Sequence, residues 1–367
     1  MKVKDACQIN PLSKENWDYI NYLDTSSVVN DSLVSPFQLI YGTYPSRAQR
    51  IIKKDDILIS SVRPNLKHNY FVRDLPDHAM ASSGFIQVRV RSKDYLPRFV
   101  FYYLTNPSMT AHYSSIAESA QTTFPTFNKK VIEEMPIPDI DIAEQRHIVD
   151  AIGSVDDLIE KLNLQKIDIE RILQLSLTAY PLRARADELA IVPLSTKISS
   201  FEGSKIYLDT SSVDENGPRN YNDRVAFQNR PSRANAQPIA NSVWFAKMKG
   251  GKKPVLVTER DKDIIDDCIL STGFMGLKES ETLPLPLLYA FTTSDEFLKS
   301  RDTNSTGTLM EGVTNTTFKN IEFPVLTKEE AQNYRLKYCS FLSELSNIRR
   351  KSLKLENIKQ TLLKKYF

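Results

Sequence analysis

The chain has 367 residues, of which 41% are hydrophobic and 25% charged, and its formal net charge is +3. This length suits two globular domains with connecting structure better than one. A charge so close to zero does not by itself indicate a nucleic-acid partner, so any strongly basic surface has to be local. The scattered, odd-numbered cysteines Cys7, Cys268 and Cys339 argue against a disulfide framework and predict buried, small apolar side chains in a reducing compartment.

The sequence carries no sign of a membrane segment. Its first ten residues hold lysines, but no apolar stretch follows them, which argues against a secretory leader. The most apolar run, residues 99–104, is far too short to cross a bilayer. A soluble, cytoplasmic protein is therefore expected.

Residues 1–141 are predicted to form a globular domain built mainly from strands. Residues 22–28 are typical of a strand that ends in a Ser/Thr turn, in which an aspartate accepts hydrogen bonds from backbone N–H groups. Residues 55–62 predict a short buried strand, and residues 85–91 alternate as a half-exposed strand does. A helix is expected near residues 97–105.

A long helix is predicted next, over residues 148–180. Its apolar residues recur at alternating spacings of four and three, which places one narrow stripe along the helix and is typical of a coiled-coil seam. Only Lys166 and Ser176 interrupt this stripe. The seam residues are Ile148, Ile152, Val155, Ile159, Leu162, Ile169 and Leu173, with Tyr180 at the end.

The second half of the chain repeats the first. Residues 22–28 recur identically as residues 207–213, and residues 45–48 recur as residues 231–234. A second globular domain is therefore predicted over 182–326, with a helix near 285–292, and a second long helix follows it. The seam of that helix consists of Tyr334, Tyr338, Phe341, Leu345, Ile348, Leu355 and Leu362, with Tyr366 at the end.

Two apolar seams of equal length on one chain bury their faces most simply against each other. If the two halves are related by a pseudo-twofold axis, the two helices run antiparallel. Lys166 then lies close to Ser352. This polar pair fixes the register of the helices, or else the lysine side chain extends out of the seam into solvent.

Signatures of catalysis are absent from the sequence. It has no Asn/Asp-Pro-Pro-Tyr run for adenine methylation, no glycine-rich phosphate loop, and no His or Cys spacing that suits a metal. The carboxylates at residues 139–144 resemble the carboxylate group of a nuclease active site only superficially, because no lysine accompanies them. They also stand at a helix start, where acidic residues suit the helix dipole. We therefore expect no catalytic residue, metal site or cofactor in this chain.

Three segments carry a family resemblance: residues 56–64, residues 82–85, and the junction at 137–149 that leads into the first long helix. Together with the repeat and the paired helices, they resemble the specificity subunits of type I restriction-modification systems. The second half departs from the pattern. It lacks the Glu-Gln-Arg of the junction and has no clean counterpart of Val62-Arg63-Pro64, a place taken by residues 241–246.

The resemblance implies an α+β fold with two mainly β/α target-recognition domains in internal repeat, separated by two long helices that form an antiparallel coiled coil. Each domain is then expected to read one half of a bipartite, gapped DNA target, while the helices set the gap and dock methyltransferase subunits. The implied segments are target-recognition domain 1 at 1–141, spacer helix 1 at 142–181, target-recognition domain 2 at 182–326 and spacer helix 2 at 327–367.

Sequence-specific DNA binding needs cations for phosphates and side chains with paired donors and acceptors for base edges. Such residues occur in loops at predicted strand ends and in polar loops before each long helix. A surface lysine is ordinarily just solvated, so the loops are stronger candidates than their individual members. The first-domain candidates are Arg47, Arg50, Arg63, Asn65, Lys67, His68, Gln121, Thr122, Thr123 and Asn128. The second-domain candidates are Arg233, Lys247, Lys249, Lys252, Lys253, Asn304, Thr306, Asn315 and Thr316.

The expected function is sequence-specific DNA binding by a non-catalytic subunit of a type I restriction-modification complex. The expected partners are double-stranded DNA, two methyltransferase subunits and the restriction motor-nuclease subunit. S-adenosylmethionine is expected on the methyltransferase and not on this chain. Two alternatives stay open: a coiled-coil structural adaptor that reads no DNA, and a stand-alone nuclease on a dimeric scaffold, against which the missing motifs weigh.

Overall fold

The computed structural model of the chain describes residues 1–12, 15–29, 31–33, 35–119, 125–215, 217–219, 221–307 and 311–367. Packing divides the chain into two compact units. The first unit comprises Met1–Glu160 and Leu355–Phe367, and the second comprises Lys161–Lys354. The division into 1–141, 142–181, 182–326 and 327–367 stays a prediction.

The first unit consists of one short helix, then short strands, then further helices. Its strands are β1 (Cys7–Ile9), β2 (Tyr19–Leu23), β3 (Val28–Val29), β4 (Ser32–Leu33), β5 (Gln38–Tyr41), β6 (Ala48–Ile51), β7 (Ile57–Ser60), β8 (Asn69–Phe71), β9 (Ala79–Ser82) and β10 (Phe85–Val90). Its helices are α1 (Val3–Ala6), α2 (Pro97–Thr105), α3 (Pro107–Ser119), α4 (Lys129–Glu133) and the first part of α5 (Ile142–Ser176).

Eight of these strands form two sheets, of order β1-β10-β7-β8 and β5-β2-β9-β6. Among the described strands of these two sheets, only β2 and β9 pair in parallel. The prediction that residues 85–91 form a half-exposed strand is wrong, because both faces of β10 are covered. Ile86 packs in one core with Phe99 of α2. Phe85 packs on the opposite face, in a core that contains Leu23 of β2.

The second unit contains the same kinds of elements. Its strands are β11 (Arg183–Arg185), β12 (Ser204–Leu208), β13 (Val213–Asp214), β14 (Gly217–Pro218), β15 (Arg224–Ala226), β16 (Ala234–Ala236), β17 (Ser242–Ala246), β18 (Val255–Val257), β19 (Cys268–Ser271), β20 (Phe274–Lys278) and β21 (Glu322–Pro324). Its helices are α6 (Lys262–Asp267), α7 (Leu285–Thr292), α8 (Asp295–Thr303), α9 (Asn315–Phe318) and the first part of α10 (Lys328–Tyr366).

The sequence repeat is a repeat of structure. The sheet β15-β12-β19-β16 has the order of β5-β2-β9-β6, with its parallel pair in the same place. Both sheets also carry an irregularity at the same point, between Ala48 and Arg50 in one and between Ala234 and Ala236 in the other. The predicted internal repeat is therefore confirmed at the level of strand order and register.

The two long helices, α5 and α10, run antiparallel, as predicted. In each unit, residues farther along α5 contact residues earlier along α10, which is the signature of opposite direction. The contacting pairs are His147–Tyr366 and Asp156–Lys359 in the first unit, and Gln165–Glu344 and Ser176–Tyr334 in the second.

Every predicted seam residue is at least partly buried, but the buried stripe is wider than predicted. Leu342 and Leu363 are buried as well, because the long helices pack against the cores of the units in addition to each other. The fully buried seam residues are Ile148, Ile152, Val155, Ile159, Ile169, Leu173, Tyr334, Leu345 and Ile348. Those that are partly buried are Leu162, Tyr338, Phe341, Leu355 and Leu362.

The expectation that the Lys166 side chain extends into solvent is wrong, because this lysine is buried. Its Nζ lies 2.7 Å from the carboxylate of Glu170, which is buried one turn farther along α5. The same carboxylate accepts a hydrogen bond of 2.5 Å from the hydroxyl of Tyr289 in α7. The buried hydroxyl of Ser352 has no hydrogen-bond partner among the described residues. A role of this polar pair in fixing the register stays a prediction.

The cysteines follow the prediction in part. Cys7 and Cys268 are buried, and burial raises the pKa of each thiol to about 12. For Cys339 the prediction is wrong, since this residue of α10 is exposed. Among the described residues, no helix combines the length and apolarity needed to cross a membrane.

The Lys166–Glu170 pair generates a test of stability. Replacing Glu170 by alanine removes the carboxylate beside a buried ammonium, and we expect the free energy of unfolding to fall by about 3–5 kcal/mol. Lys129 and Glu133 have the same spacing on a surface helix, so Glu133→Ala is the matched control and should cost less than about 1 kcal/mol. Urea unfolding followed by circular dichroism measures both variants. An equal loss of unfolding free energy in Glu170→Ala and Glu133→Ala would contradict the conclusion that burial makes the Lys166–Glu170 pair important.

Candidate nucleic-acid interface

The Asp-Thr-Ser-Ser turn that occurs twice in the sequence has the structure predicted for it. Asp24 accepts a hydrogen bond from the backbone N–H of Ser26 at 3.1 Å, and Asp209 accepts from Ser211 and Ser212 at 2.9 and 2.8 Å. Burial by itself raises the pKa of a carboxyl, but these hydrogen bonds outweigh it and lower the pKa of Asp24 and Asp209. The aspartates therefore stabilise the turns.

In the first unit this turn belongs to a group of loops that meet at the ends of β7 and β9. We define the first loop cluster as residues 24–27, 45–48, 61–68, 82–84 and 125–128. Most candidate DNA-binding residues of the first half of the sequence lie in these loops or next to them. The cluster thus brings together loops that are far apart in the chain.

Backbone hydrogen bonds hold the first loop cluster together. The N–H of Ser83 donates to the carbonyl of Arg47 at 2.7 Å, and the N–H of Ser61 donates to the carbonyl of Gly84 at 3.0 Å. The carbonyl of Ser61 accepts from the N–H of Phe127 at 3.1 Å. Ser61 therefore joins the loop after β7 to two other loops through its backbone, and its hydroxyl also donates to the carbonyl of Gly84 at 2.9 Å.

The second unit holds an equivalent group of loops. The N–H of Thr272 donates to the carbonyl of Arg233 at 2.8 Å, and the N–H of Lys247 donates to Gly273 at 2.9 Å. The carbonyl of Lys247 accepts from Val313 at 2.9 Å, so Lys247 takes the place of Ser61. We define the second loop cluster as residues 209–212, 231–234, 247–253, 271–273, 306–307 and 311–313.

The matching backbone hydrogen bonds of the two clusters identify the counterpart of residues 62–64, which the sequence did not reveal. An isolated bridge follows the joining residue in both clusters, and the next residue in each is a cation. Lys249 of the second cluster therefore corresponds to Arg63 of the first. The correspondence lies in backbone pairing and not in side chains, which is why sequence comparison missed it. The matching bridges are Val62–Thr126 and Met248–Gly312.

The first-unit candidates differ in how freely they face solvent. Arg47, Arg63 and Asn65 are exposed, and Lys67 is half-buried. Arg63 and Lys67 have positive φ angles of 47° and 50° on either side of the turn Pro64–Leu66, so this loop has a defined and uncommon backbone conformation. Its cations are therefore held on a shaped loop.

The other first-unit candidates have structural contacts. Nε of Arg50 donates to the carbonyl of Phe85 at 3.4 Å, and burial lowers the pKa of this guanidinium. Asn128 caps α4 by accepting a hydrogen bond from the N–H of Lys130 at 3.1 Å. Gln121, Thr122 and Thr123 lie outside the described residues.

His68 supports the Ser/Thr turn of the first cluster. Its Nδ1 lies 2.9 Å from the carbonyl oxygen of Thr25. Burial lowers the pKa of this imidazole, although the hydrogen bond to Thr25 and the nearby carboxylate of Asp24 act in the opposite direction. In the second cluster, Nζ of Lys253 donates to the carbonyl of Thr210, so a cation makes the equivalent contact.

The lysines of the second cluster have partners. Nζ of Lys247 donates to the carbonyl of Thr272 at 2.8 Å, and burial lowers the pKa of Lys247. Nζ of Lys249 lies 2.8 Å from the carboxylate of Glu311. Lys252 lies farther from an acid, with its Nζ 3.7 Å from the carboxylate of Glu170. The positive charge of this loop is therefore partly offset within the unit.

The remaining second-unit candidates lie around this loop. Arg233 and Thr306 are exposed in the cluster, and Asn315 and Thr316 are exposed at the start of α9. The amide of Asn304 donates to the carbonyl of Ser300 at 2.9 Å, which ties it to the end of α8. In the described part of the chain, no group of three or more His, Cys, Asp or Glu side chains could hold a metal ion.

Comparisons with known proteins match part of the chain. A family model described as the type I restriction modification DNA specificity domain matches residues 1–171. Over 177 residues the chain is 32% identical to the type I restriction enzyme HindI specificity subunit of Haemophilus influenzae. That match covers 46% of this chain and only 38% of the length of the relative.

Two solved structures align over the whole chain. The S subunit of a type I restriction-modification system from M. genitalium has a TM-score of 0.50 at 14% identity, over 100% of this chain and 95% of that one. The HsdS subunit from Thermoanaerobacter tengcongensis has a TM-score of 0.40 at 20% identity, over 100% and 95%. At 14% identity, the first of these likenesses concerns the fold alone.

The lowered pKa of His68 generates a test of pH dependence. Unfolding takes up a proton at pH values between the folded pKa and the unfolded pKa of about 6.5. The stability that neutral His68 contributes is therefore present above about pH 6.5 and is lost as the pH falls through the folded pKa. We expect the free energy of unfolding to fall below pH 6.5 with a slope of less than about 1.4 kcal/mol per pH unit, because the side chain is only half-buried.

Urea unfolding between pH 8 and pH 5 measures this slope. His68→Gln should flatten it, and His112→Gln, which changes an exposed histidine of α3, should leave it unchanged. If the free energy of unfolding had the same pH slope in the wild type and in His68→Gln, the assignment of this pH dependence to His68 would be wrong.

Proposed function

We propose that the chain is a specificity subunit of a type I restriction-modification system and that it reads a bipartite, gapped DNA target as the non-catalytic subunit of such a complex. The two loop clusters read one half-site each. The observation that carries this proposal is that both clusters are built on the same backbone hydrogen bonds while their side chains differ. A shared frame with different side chains suits two half-sites of different sequence.

The chemistry of the exposed side chains supports contact with DNA. Each cluster places a cation directly after its bridge, Arg63 in the first and Lys249 in the second. Each also exposes an arginine on a neighbouring loop, Arg47 or Arg233. Such cations neutralise phosphates, and arginine also recognises guanine through paired donors.

Exposed apolar residues on α5 support the docking of partner subunits. Leu164, Ile167 and Leu175 are 58%, 55% and 59% exposed, although the seam residues Ile169 and Leu173 of the same helix are buried. At 100° per residue they share a face that points away from the seam. We assign this face to two methyltransferase subunits, which carry S-adenosylmethionine and are joined by the restriction motor-nuclease subunit.

A coiled-coil adaptor that reads no DNA is the second candidate. The observation that favours it is the internal pairing of Lys249 with Glu311, which reduces the free charge of the second cluster. The adaptor should fail to retain duplex DNA at low salt even when methyltransferase is present. The specificity subunit should retain it, with an affinity that falls as salt rises.

Genome-wide mapping of methylated adenines tests the proposed function. In a host with the complete system, we expect a gapped, two-part motif that is lost when this gene is deleted and returns with a plasmid copy. The half-sites lose methylation together, because both are read by one chain. A methylation pattern that is unaffected by deletion in an active host would contradict DNA reading and favour the adaptor.

Lengthening both long helices tests the spacer role. One heptad inserted in register after Glu160 and one after Lys354 adds about 10 Å to each helix. At about 3.4 Å per base pair, the gap should grow by about 3 base pairs while both half-sites stay the same. A heptad in α5 alone is the control, because it breaks the seam register and should abolish methylation. An altered half-site with an unchanged gap would contradict the spacer role.

A further inference from the structure

We propose that Arg301, a buried residue of α8, is a positioning residue that sets the conformation of the basic loop at residues 247–253 and thereby the base preference of the second loop cluster. This inference deepens the proposed function and rests on it. Neither the sequence pattern nor the repeat singles out this residue. The inference rests on the contacts of the Arg301 side chain.

Arg301 is completely buried, and each of the three nitrogens of its guanidinium has a partner. Nε donates to the carboxylate of Asp302 at 2.8 Å, and Nη2 lies 2.7 Å from the same carboxylate. Nη1 donates to the carbonyl of Ala246 at 3.4 Å, and Nη2 also donates to the carbonyl of Gly250. Only the planar, multiply donating guanidinium has the geometry to serve all three groups.

The two carbonyls that Arg301 holds lie at either end of a short segment that contains two of the four candidate lysines of this loop. Ala246 is the last residue of β17, and Gly250 lies at the turn of the loop with a φ of +126°, a conformation that side chains rarely adopt. Lys247 and Lys249 lie between them. Fixing both ends fixes the directions in which these two lysines leave the backbone.

The first unit fixes the equivalent loop in a different way. The hydroxyl of Ser60 donates to the carbonyl of Val62 at 2.9 Å, and the turn Pro64–Leu66 buries Pro64 and lies against α3. The second loop has Gly250 and Gly251 in place of such a rigid turn. A glycine-rich loop has many accessible conformations, so it needs an external restraint to hold one of them.

A buried arginine is a costly way to fill space. Its desolvation is offset only when the charge is paired and its donors are satisfied, and an apolar side chain would fill the same volume at no such cost. Arg301 meets these conditions by binding the backbone of one loop. The contacts therefore fit a residue that holds the loop better than one that only completes the core.

Arg301→Met and Arg301→Lys in the full chain, assembled with methyltransferase, test the proposal. Methionine fills the space without donors, and lysine keeps the charge but cannot bond both carbonyls and Asp302 in the same geometry. Amide hydrogen exchange without DNA should be at least about tenfold faster over residues 247–253 in Arg301→Met and intermediate in Arg301→Lys. Exchange over the first-cluster residues 61–68 should not change.

The second measurement uses duplexes with single base changes in each half of the mapped target. Arg301→Met should lower discrimination by about tenfold in one half-site, the same half-site that Lys249→Ala affects. Discrimination in the other half-site should stay at the wild-type level. Arg185→Met is the matched control, since Arg185 is a partly exposed arginine of the same unit, paired with Asp187, and lies outside the loop.

Three outcomes would overturn the proposal. The first is a folded Arg301→Met variant whose amide exchange over residues 247–253 equals that of the wild type, and the second is an equal loss of discrimination in both half-sites. The third is wild-type amide exchange over residues 247–253 in Arg301→Lys. If Arg301→Met does not fold, the exchange of Arg301→Lys decides the question by itself. Failure of the wild-type complex to bind its target would instead contradict the proposed function. The exchange measurement needs no DNA and still tests the positioning in that case.

Discussion

The backbone of one residue in each unit holds the candidate interface together. Ser61 and Lys247 each donate their N–H to a glycine carbonyl, at Gly84 and Gly273, and each accepts a hydrogen bond from a loop near the end of the domain. Because these bonds use no side-chain atoms, they survive almost any change of side chain. The frame of the interface is therefore constant, and the side chains around it are free to differ between the two units.

Among the described residues, the buried charges of Glu170 and Arg301 connect separate segments of the chain. Glu170 lies between Lys166 of its own helix and Tyr289 of α7, and Arg301 lies between a helix and a loop. Ionic groups cost free energy to desolvate, and they offset that cost only in one geometry. They therefore stabilise particular contacts between elements, whereas the apolar cores stabilise compactness in general.

The parts of the candidate site that could be predicted from the sequence are local. The Asp24 turn and its copy at Asp209 were predicted because an aspartate followed by hydroxyl residues satisfies its own backbone within three residues. The equivalence of Lys249 with Arg63 could not be predicted, since it depends on strand register. Arg301 carried no signal, because one arginine in a polar helix resembles any surface arginine until its burial is known.

The sequence by itself determined the repeat, the two long helices and the alternation of strands and turns, because periodicity and turn chemistry act over a few neighbouring residues. Only the tertiary structure decided which faces were covered. It buried both sides of β10, where alternation predicted one exposed side, and it buried Lys166 beside Glu170. Burial depends on segments that are distant in the chain, and a local pattern carries no record of which distant segment will pack against it.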